Sequence, residues 1–308
     1  MMESDIGLWG VPLAILGGAI RVSTPFIFVS LGETLTERSG RINLGLEGTL
    51  VFGAMTAYAT AVMTGSAWLG VLAAAASGLC FGVFHGWICK FPRVNDIAIG
   101  IAMMLFGIGL AFYLGKAFIQ PSAPDLPSIP LGFWSDIPQV QAALDVNVLF
   151  IIGGLLALFL WWALKNTRAG LVLRVVGDSS DAARAMGLNP NAVRLVATAV
   201  GGALAAIGGA YLSLYYPGSW NERISSGQGL MAVALVIFAR WNPLGCFAAA
   251  LLFGGAGALG PALQSVGVTQ GYYLFYAAPY VLTLAIMIAT CSPGRRLAGA
   301  PGELSITK

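Results

Sequence analysis

One histidine, His85, and thirteen carboxylates are the main groups this 308-residue chain offers for acid–base work. No serine–lysine pair and no paired aspartates fall inside its apolar segments at a spacing that supports intramembrane hydrolysis. No G-x-x-x-x-G-K-[ST] phosphate loop occurs, because Gly115-Lys116 is followed by Ala117 in an apolar context, so the chain carries no ATP site of this type. The four cysteines, Cys80, Cys89, Cys246 and Cys291, lack metal or redox spacing and read as inert packing thiols. What remains is polar chemistry at a few isolated places. "SGRINLGLEG" sets Gly40, Gly45 and Gly48 around Asn43 and Glu47. That composition suits a broken helix lining a wet cavity, and equally an inner turn with capping residues. "RVNDIAIG" offers Asn95 and Asp96 either to a cavity near its inner mouth or, for Asp96, to a pair with Arg93 or a helix cap. Trp220, Asn221, Glu222 and Arg223 in "YYPGSWNERISSGQGL" read as docking or gate residues, and Trp220 also as a membrane anchor.

The elements that must position these groups are membrane helices. The chain is 57% hydrophobic and 9% charged, outside the range of a soluble domain, and its 41 glycines suit helices that meet backbone to backbone. Charge-poor stretches give about nine spans (eight to ten) of about 17 to 25 residues, so the expected fold is an all-α polytopic membrane protein. Their approximate centres are Phe26, Met55, Leu79, Leu105, Leu155, Leu204, Ala234, Leu252 and Leu282. The start "MMESDIG" lacks a basic n-region, so the first apolar segment is expected to be retained. The whole of 1–308 reads as one transmembrane domain, with a long external loop at about 116–146 that opens on "PSAPDLPSIP".

Residues 165–194 carry Lys165, Arg168, Arg174, Arg184 and Arg194 against Asp178 and Asp181, whereas 116–146 carry Lys116 against Asp125, Asp136 and Asp145. The positive-inside rule puts the first segment in the cytoplasm and the second outside. Counting spans outward gives an external N-terminus and a cytoplasmic C-terminus, in keeping with Lys90, Arg93, Arg295, Arg296 and Lys308 inside and Glu3 and Asp5 outside. Arg21 then marks the outer end of the first span and anchors at headgroups, or it is a costly intramembrane charge with a function. Glu33, Glu37 and Arg38 form the water-facing inner end of that span. Gly78, Gly82 and Gly86 share one helical face as a packing stripe, and His85 beside it reads as a packing residue rather than a proton relay.

The island "GDSSDAARAMGLNP" lies between two of the most apolar stretches in the chain. Asp178 is a candidate N-cap with Asp181 three residues on, Gly187 is a stop and Pro190 follows, so a short helix is expected. Ala182, Ala183 and Met186 would give it a small smooth patch that needs a partner to dock on. A solvated connecting loop reads equally well on these grounds.

Three segments carry a resemblance. "TERSGRINLGLEG", "NTRAGLVLRVVGDSSDAARAMGLNPNAVRLVATAVGGALAAIGGAYLSL" and "GQGLMAVALVIFARWNPLG" resemble, in order and over about residues 20–292, permease subunits of bacterial ABC importers. The superfamily is that of ribose and branched-chain amino acid importers, and the similarity is greatest to its simple-sugar and nucleoside branch. The resemblance implies a type II importer-like permease in the bacterial inner membrane that hydrolyses no ATP itself and holds no cofactor, with ATP and Mg on a partner ATPase. It implies further a second permease, a heterodimer being preferred to a homodimer, and a periplasmic or lipid-anchored substrate-binding protein, with no nucleic-acid partner. It assigns the coupling contact with the ATPase to Asp178, Ser179, Ser180, Asp181, Ala182, Ala183, Arg184, Ala185, Met186 and Gly187, with Arg184 a candidate for an ion pair to it. It places Asn43, Glu47, Asn95 and Asp96 near the translocation path of a neutral polar solute, a nucleoside, nucleobase or simple sugar. The competing class is an ion-gradient-driven secondary transporter, which would use buried carboxylates at mid-depth; only Glu47 and Asp96 come near such a position.

Overall fold

The computed structural model describes residues 10–119, 121–268, 270–271, 274–275, 277–290 and 299–306. The helices are α1 (Gly10–Arg38), α2 (Leu46–Thr64), α3 (Ala67–Ile88), α4 (Asp96–Gly115), α5 (Pro138–Ala143), α6 (Val148–Asn166), α7 (Arg168–Asp178), α8 (Ser180–Ala185), α9 (Pro190–Leu214), α10 (Gln228–Phe238), α11 (Pro243–Ser265) and α12 (Ala278–Thr290). A 3₁₀ turn, Gly302–Ile306, follows near the C-terminus. The Pro-rich loop folds into a two-stranded antiparallel hairpin, β1 (Ser128–Pro130) and β2 (Asp145–Asn147), in the register Ser128↔Asn147, Ile129↔Val146 and Pro130↔Asp145, with α5 between the strands. Cys291, Arg295, Arg296, Lys308, Glu3 and Asp5 lie outside the described residues.

All nine expected centres fall on helices, but among the described residues seven helices, not nine, are long and apolar enough to cross a membrane. The centres at Ala234 and Leu282 account for the difference. α10 has 11 residues, and α12 is described over 13, up to the edge of the described residues at Thr290. At 1.5 Å per residue α10 is roughly 16 Å long, well short of a hydrocarbon core of about 30 Å. Window hydropathy detects an apolar run without reporting whether the chain breaks before or after it.

α1, α2 and α9 form the buried middle, and their contacts are made by glycine. A Cβ on Gly209 would collide with the carbonyl of Leu50, one on Gly53 with Ala206, and Gly32 and Gly201 each abut the other's backbone. The Gly78, Gly82 and Gly86 stripe of α3 meets α9 at Gly202 and Ala206, at Thr198 and Ala199, and at Leu195, as the packing reading expects. With no lipid-exclusion force between apolar helices, such backbone approaches supply the dispersion contacts that hold them. The rims of α3, α4 and α6 instead expose leucines such as Leu72, Leu105 and Leu155, as surfaces facing acyl chains must.

The bundle has two distinct ends. At one, the hairpin and α5 cover the start of α1: Gly17 abuts Ala143, and the Arg21 guanidinium donates to the Ala142 carbonyl at 2.5 Å. α1 therefore runs through Arg21, which closes the last turn of α5 with its charge rather than simply ending a span. At the other end lie α7, α8 and the Gly302–Ile306 turn. The two described chain ends accordingly sit at opposite ends of the bundle.

Candidate functional site: a half-length helix held by one polar segment

α10 is too short to cross, and the segment from Glu33 to Glu47 holds both of its ends. After α1 ends at Arg38, Gly40 (φ +86°) turns the chain back along the helix it has just left. The Asn43 N–H donates to Glu33 Oε1 at 2.8 Å, and Asn43 Oδ1 accepts from the Gly45 N–H at 2.9 Å. Leu44 and Gly48 then pack on Gly100 and on Met104 and Gly107 of α4. α2 thus begins about 6–10 Å along α4, opposite Gly100 and Met103 and part-way into the bundle.

That depth places Glu47 against the start of α10. Glu47 Oε1 accepts from the Ser225 hydroxyl at 2.5 Å and the Gly227 N–H at 3.0 Å, and Oε2 accepts from the Gly229 N–H at 2.6 Å. A helix start leaves N–H groups without partners and a partial positive charge; a carboxylate answers both. Gly227 (φ +86°) and Gly229 are needed here, since a Cβ on Gly229 would collide with the Glu47 backbone. At the far end of α10 the Trp241 indole N–H donates to Glu37 Oε2, and Arg38 Nε donates to the Trp241 carbonyl at 3.0 Å. Arg240 and Trp241 take φ of +52° and +54° to present those groups.

This corrects the expectation that Glu33 and Glu37 face water. They are 0% and 2% exposed, because the returning segment 39–45 and the α10–α11 corner cover them. Asn43 is also buried and spends its side chain on its own turn, and Glu47, 5% exposed, is committed on both oxygens within the chain.

At the opposite extreme of exposure, the polar island forms two helices. Asp178 is the last residue of α7, and the N-cap of α8 is Ser179, whose hydroxyl accepts from the Ala182 N–H at 3.2 Å. The expected cap was therefore one residue early, since serine in the extended conformation reaches the third N–H directly. Gly187 (φ +77°) ends the unit as expected. Asp181, Ala182, Arg184, Ala185, Met186 and Gly187 are exposed, whereas Ala183 is fully buried and Ser180 nearly so. The patch expected from Ala182, Ala183 and Met186 is thus split between two faces. Arg184 pairs with Asp181 at 2.8 Å on the open surface.

A family model described as the branched-chain amino acid transport system permease component matches residues 15–291, which include both the clamp around α10 and the α7–α8 unit. The chain belongs to that family. The nucleoside ABC transporter permease NupC of Lactococcus lactis is 30% identical over 293 residues, 89% of this chain and 90% of that one. The guanosine ABC transporter permease NupQ of Bacillus subtilis is 30% identical over 288 residues, 88% and 89% of the two chains. The putative glucose ABC transporter permease TsgC13 of Haloferax volcanii is 30% identical over 259 residues, 82% and 79% of the two chains. The chain is a multi-pass permease subunit of an ABC transporter.

Other groups singled out in the permease sequence take these places. Asn95 is the N-cap of α4, its Oδ1 accepting from the Ile97 and Ala98 N–H groups at 2.9 and 3.1 Å. Asp96 pairs with Arg41 at 3.0 Å, not with Arg93, and that pair ties the returning segment to α4. Arg41 is the functional neighbour that sequence reasoning missed; its only signal was a charge inside the glycine-rich motif. Trp220 is 2% exposed and its indole donates to the Gly115 carbonyl at 3.0 Å, so it is an internal tie and not a surface anchor. Asn221, Glu222 and Arg223 beside it are exposed. His85 is buried at 1% with neither ring nitrogen hydrogen-bonded among the described residues, in line with packing. Burial, reinforced by the Asp96 charge, pushes the Cys89 thiol up to about 12, which keeps it unreactive. No group of three or more His, Cys, Asp or Glu able to hold a metal ion occurs among the described residues.

Proposed function

We propose that this permease is the membrane subunit of an importer for a neutral polar solute, a nucleoside, nucleobase or simple sugar, driven by a separate ATPase that engages α8. The observation that carries the reading is the start of α10. A half-length helix beginning inside the bundle is the usual device for a solute site at mid-depth, and its free N–H groups attract anionic substrate groups. Here Glu47 fills that position with the chain's own carboxylate, so no uncompensated positive charge remains at that point for a carboxylate or phosphate cargo. Relatives named as nucleoside, guanosine and putative glucose permeases, each at 30% identity, support a neutral solute of the nucleoside or simple-sugar class. The chain supplies path and lever and performs no catalysis; ATP and Mg act on the partner ATPase.

In this reading the exposed tip of α8, with Ala182, Ala185 and Met186, enters a cleft of the ATPase, and Asp178, Ser179, Ser180 and Ala183 seat the helix on the permease. The α7–α8 end is cytoplasmic and carries the C-terminus, and the hairpin end and N-terminus are external, in a bacterial cytoplasmic membrane. The path is completed by a second permease, a different chain in preference to a second copy. A binding protein delivers solute to the hairpin end, where Asn221, Glu222 and Arg223 are open for docking or gating. Asn43, Glu47, Asn95 and Asp96 border the path by shaping its backbone rather than by presenting free charge.

Reconstitution of this chain with its ATPase, second permease and binding protein tests the proposal. Uptake of labelled nucleoside that requires ATP and ignores collapse of proton and sodium gradients is expected. Uptake by the permease alone, driven by such a gradient, would overturn it.

A further inference from the structure

Three pieces of chain meet at the start of α8. Glu303, in the turn Gly302–Ile306, accepts the Ser180 N–H on Oε1 at 2.6 Å and pairs through Oε2 with Arg194 at 3.1 Å. Arg194, in the second turn of α9, also donates to the Ser180 hydroxyl at 2.9 Å and, through Nε, to the Ser39 carbonyl at the end of α1 at 3.0 Å. The side chains of Arg194 and Glu303 are 12% and 23% exposed, so water screens the pair only in part.

Backbone fit repeats the message. Pro301 is buried, and Ala300 and Leu304 pack against the apolar core. A Cβ on Gly302 would collide with the Asp178 carbonyl, and one on Gly40 would meet Glu303 and Arg194. α8 itself has six residues, with Ser180 and Ala183 its buried positions. A helix that short has no independent stability and no extended apolar face with which to hold its place. Ser179 caps its start locally, and the contacts that tie that start to the rest of the fold come from Glu303 and Arg194.

We infer that residues 299–306 are a strap that fixes the coupling helix to the ends of α1 and α9, with Glu303 and Arg194 as positioning residues for transport. The inference rests on the reading of α8 as the ATPase contact. A push on α8 reaches the membrane helices only if the seat does not yield, and the Arg194–Glu303–Ser180 junction is what makes it unyielding. Slackening the junction lets ATP be hydrolysed with little solute moved.

The test measures solute taken up per ATP hydrolysed in the reconstituted complete transporter. Glu303→Ala and the gentler Glu303→Gln are expected to lower that ratio, the former by about tenfold, as loss of a charge-assisted contact implies, while ATP turnover stays within about twofold of the parent. Arg194→Met should do the same, and its combination with Glu303→Ala should add little, since both open one junction. An unchanged ratio in Glu303→Gln, or uptake and ATP turnover falling in equal proportion, overturns the strap. Met186→Arg at the exposed tip separates the two readings. If it leaves the ratio unchanged, α8 is not the coupling contact; if it lowers the ratio while the Glu303 variants do not, the strap alone fails.

Discussion

Helices α10 and α8 are both too short to stand by themselves, and they draw on distant parts of the chain to different degrees. α8 is capped by its own neighbour Ser179, with Glu303 taking the Ser180 N–H, and shows much of its surface to solvent. α10 is closed at its start by Glu47, some 180 residues earlier in the chain, and at its finish by Glu37 and Arg38, about 200 residues earlier. The lesson is that exposure sets how much of the cap must come from afar. In water an open N–H costs little, so on α8 a local serine shares the capping with one distant carboxylate. Inside an apolar bundle every such group must be met, and only another part of the fold can bring a carboxylate to that depth.

The widest gap between the two helices should follow from Glu47→Ala. It strips three donors of their acceptor in a buried site and is expected to cost about 3 kcal/mol or more, read as a large fall in thermal midpoint in detergent together with loss of uptake. Ser179→Ala, the matching change on α8, should cost about 1 kcal/mol; equal losses from the two would erase the contrast. Next comes Trp241→Phe, which keeps an aromatic ring, smaller than the indole, and leaves Glu37 without its indole donor. A loss of about 1–3 kcal/mol is expected, and a neutral result would show that the far end of α10 needs no tie. Within α8, Ala183→Leu should destabilise by about 1–3 kcal/mol through overpacking, whereas Ala182→Leu should leave stability within about 0.5 kcal/mol and reduce uptake per ATP. Thermal midpoints and transport ratios measured on the same samples would separate the two faces. The smallest effect is assigned to Arg184→Ala, which breaks an exposed pair with Asp181 and should shift stability by less than about 0.5 kcal/mol.

The strap adds a pH dependence. Burial alone would raise the Glu303 carboxyl, but the hydrogen bonds from Ser180 and Arg194 outweigh it and hold it below the usual carboxylate range. A carboxyl lowered on folding contributes stability that is complete above about pH 4.3 and is lost as pH falls through its lower folded value. Acid titration of the fold should therefore show a step below about pH 4 that is missing in Glu303→Gln.

The legible part of this fold was its periodicity and composition. The apolar centres, the glycine face of α3 and the stop at Gly187 depend on residues close in sequence, and they emerged where the residues put them. The unread part is made of partners brought together by the bundle. Glu33 and Glu37 looked solvent-facing because a charged pair at the end of an apolar run usually is; nothing local reveals that the chain doubles back over them. Asp96 had a nearby cation in Arg93, yet pairs with Arg41, 55 residues away. Trp220 carried the signal of an interfacial anchor, and its partner, the Gly115 carbonyl, is specified only by how α4 ends. Glu47 was singled out because a carboxylate among glycines is rare in a membrane segment, but its role as a cap needed the position of α10.

α9 is roughly 37 Å long. Near its first turns Arg194 grips the α8 seat, and at its last residue the Leu214 carbonyl receives the Leu126 N–H from the loop that leads into the hairpin, at 2.9 Å. Because glycines bring its backbone directly against those of α1, α2 and α3, this rod acts as an axle between the two ends of the bundle. Rotation or tilt imposed at one end of the bundle is carried along this single element to the other.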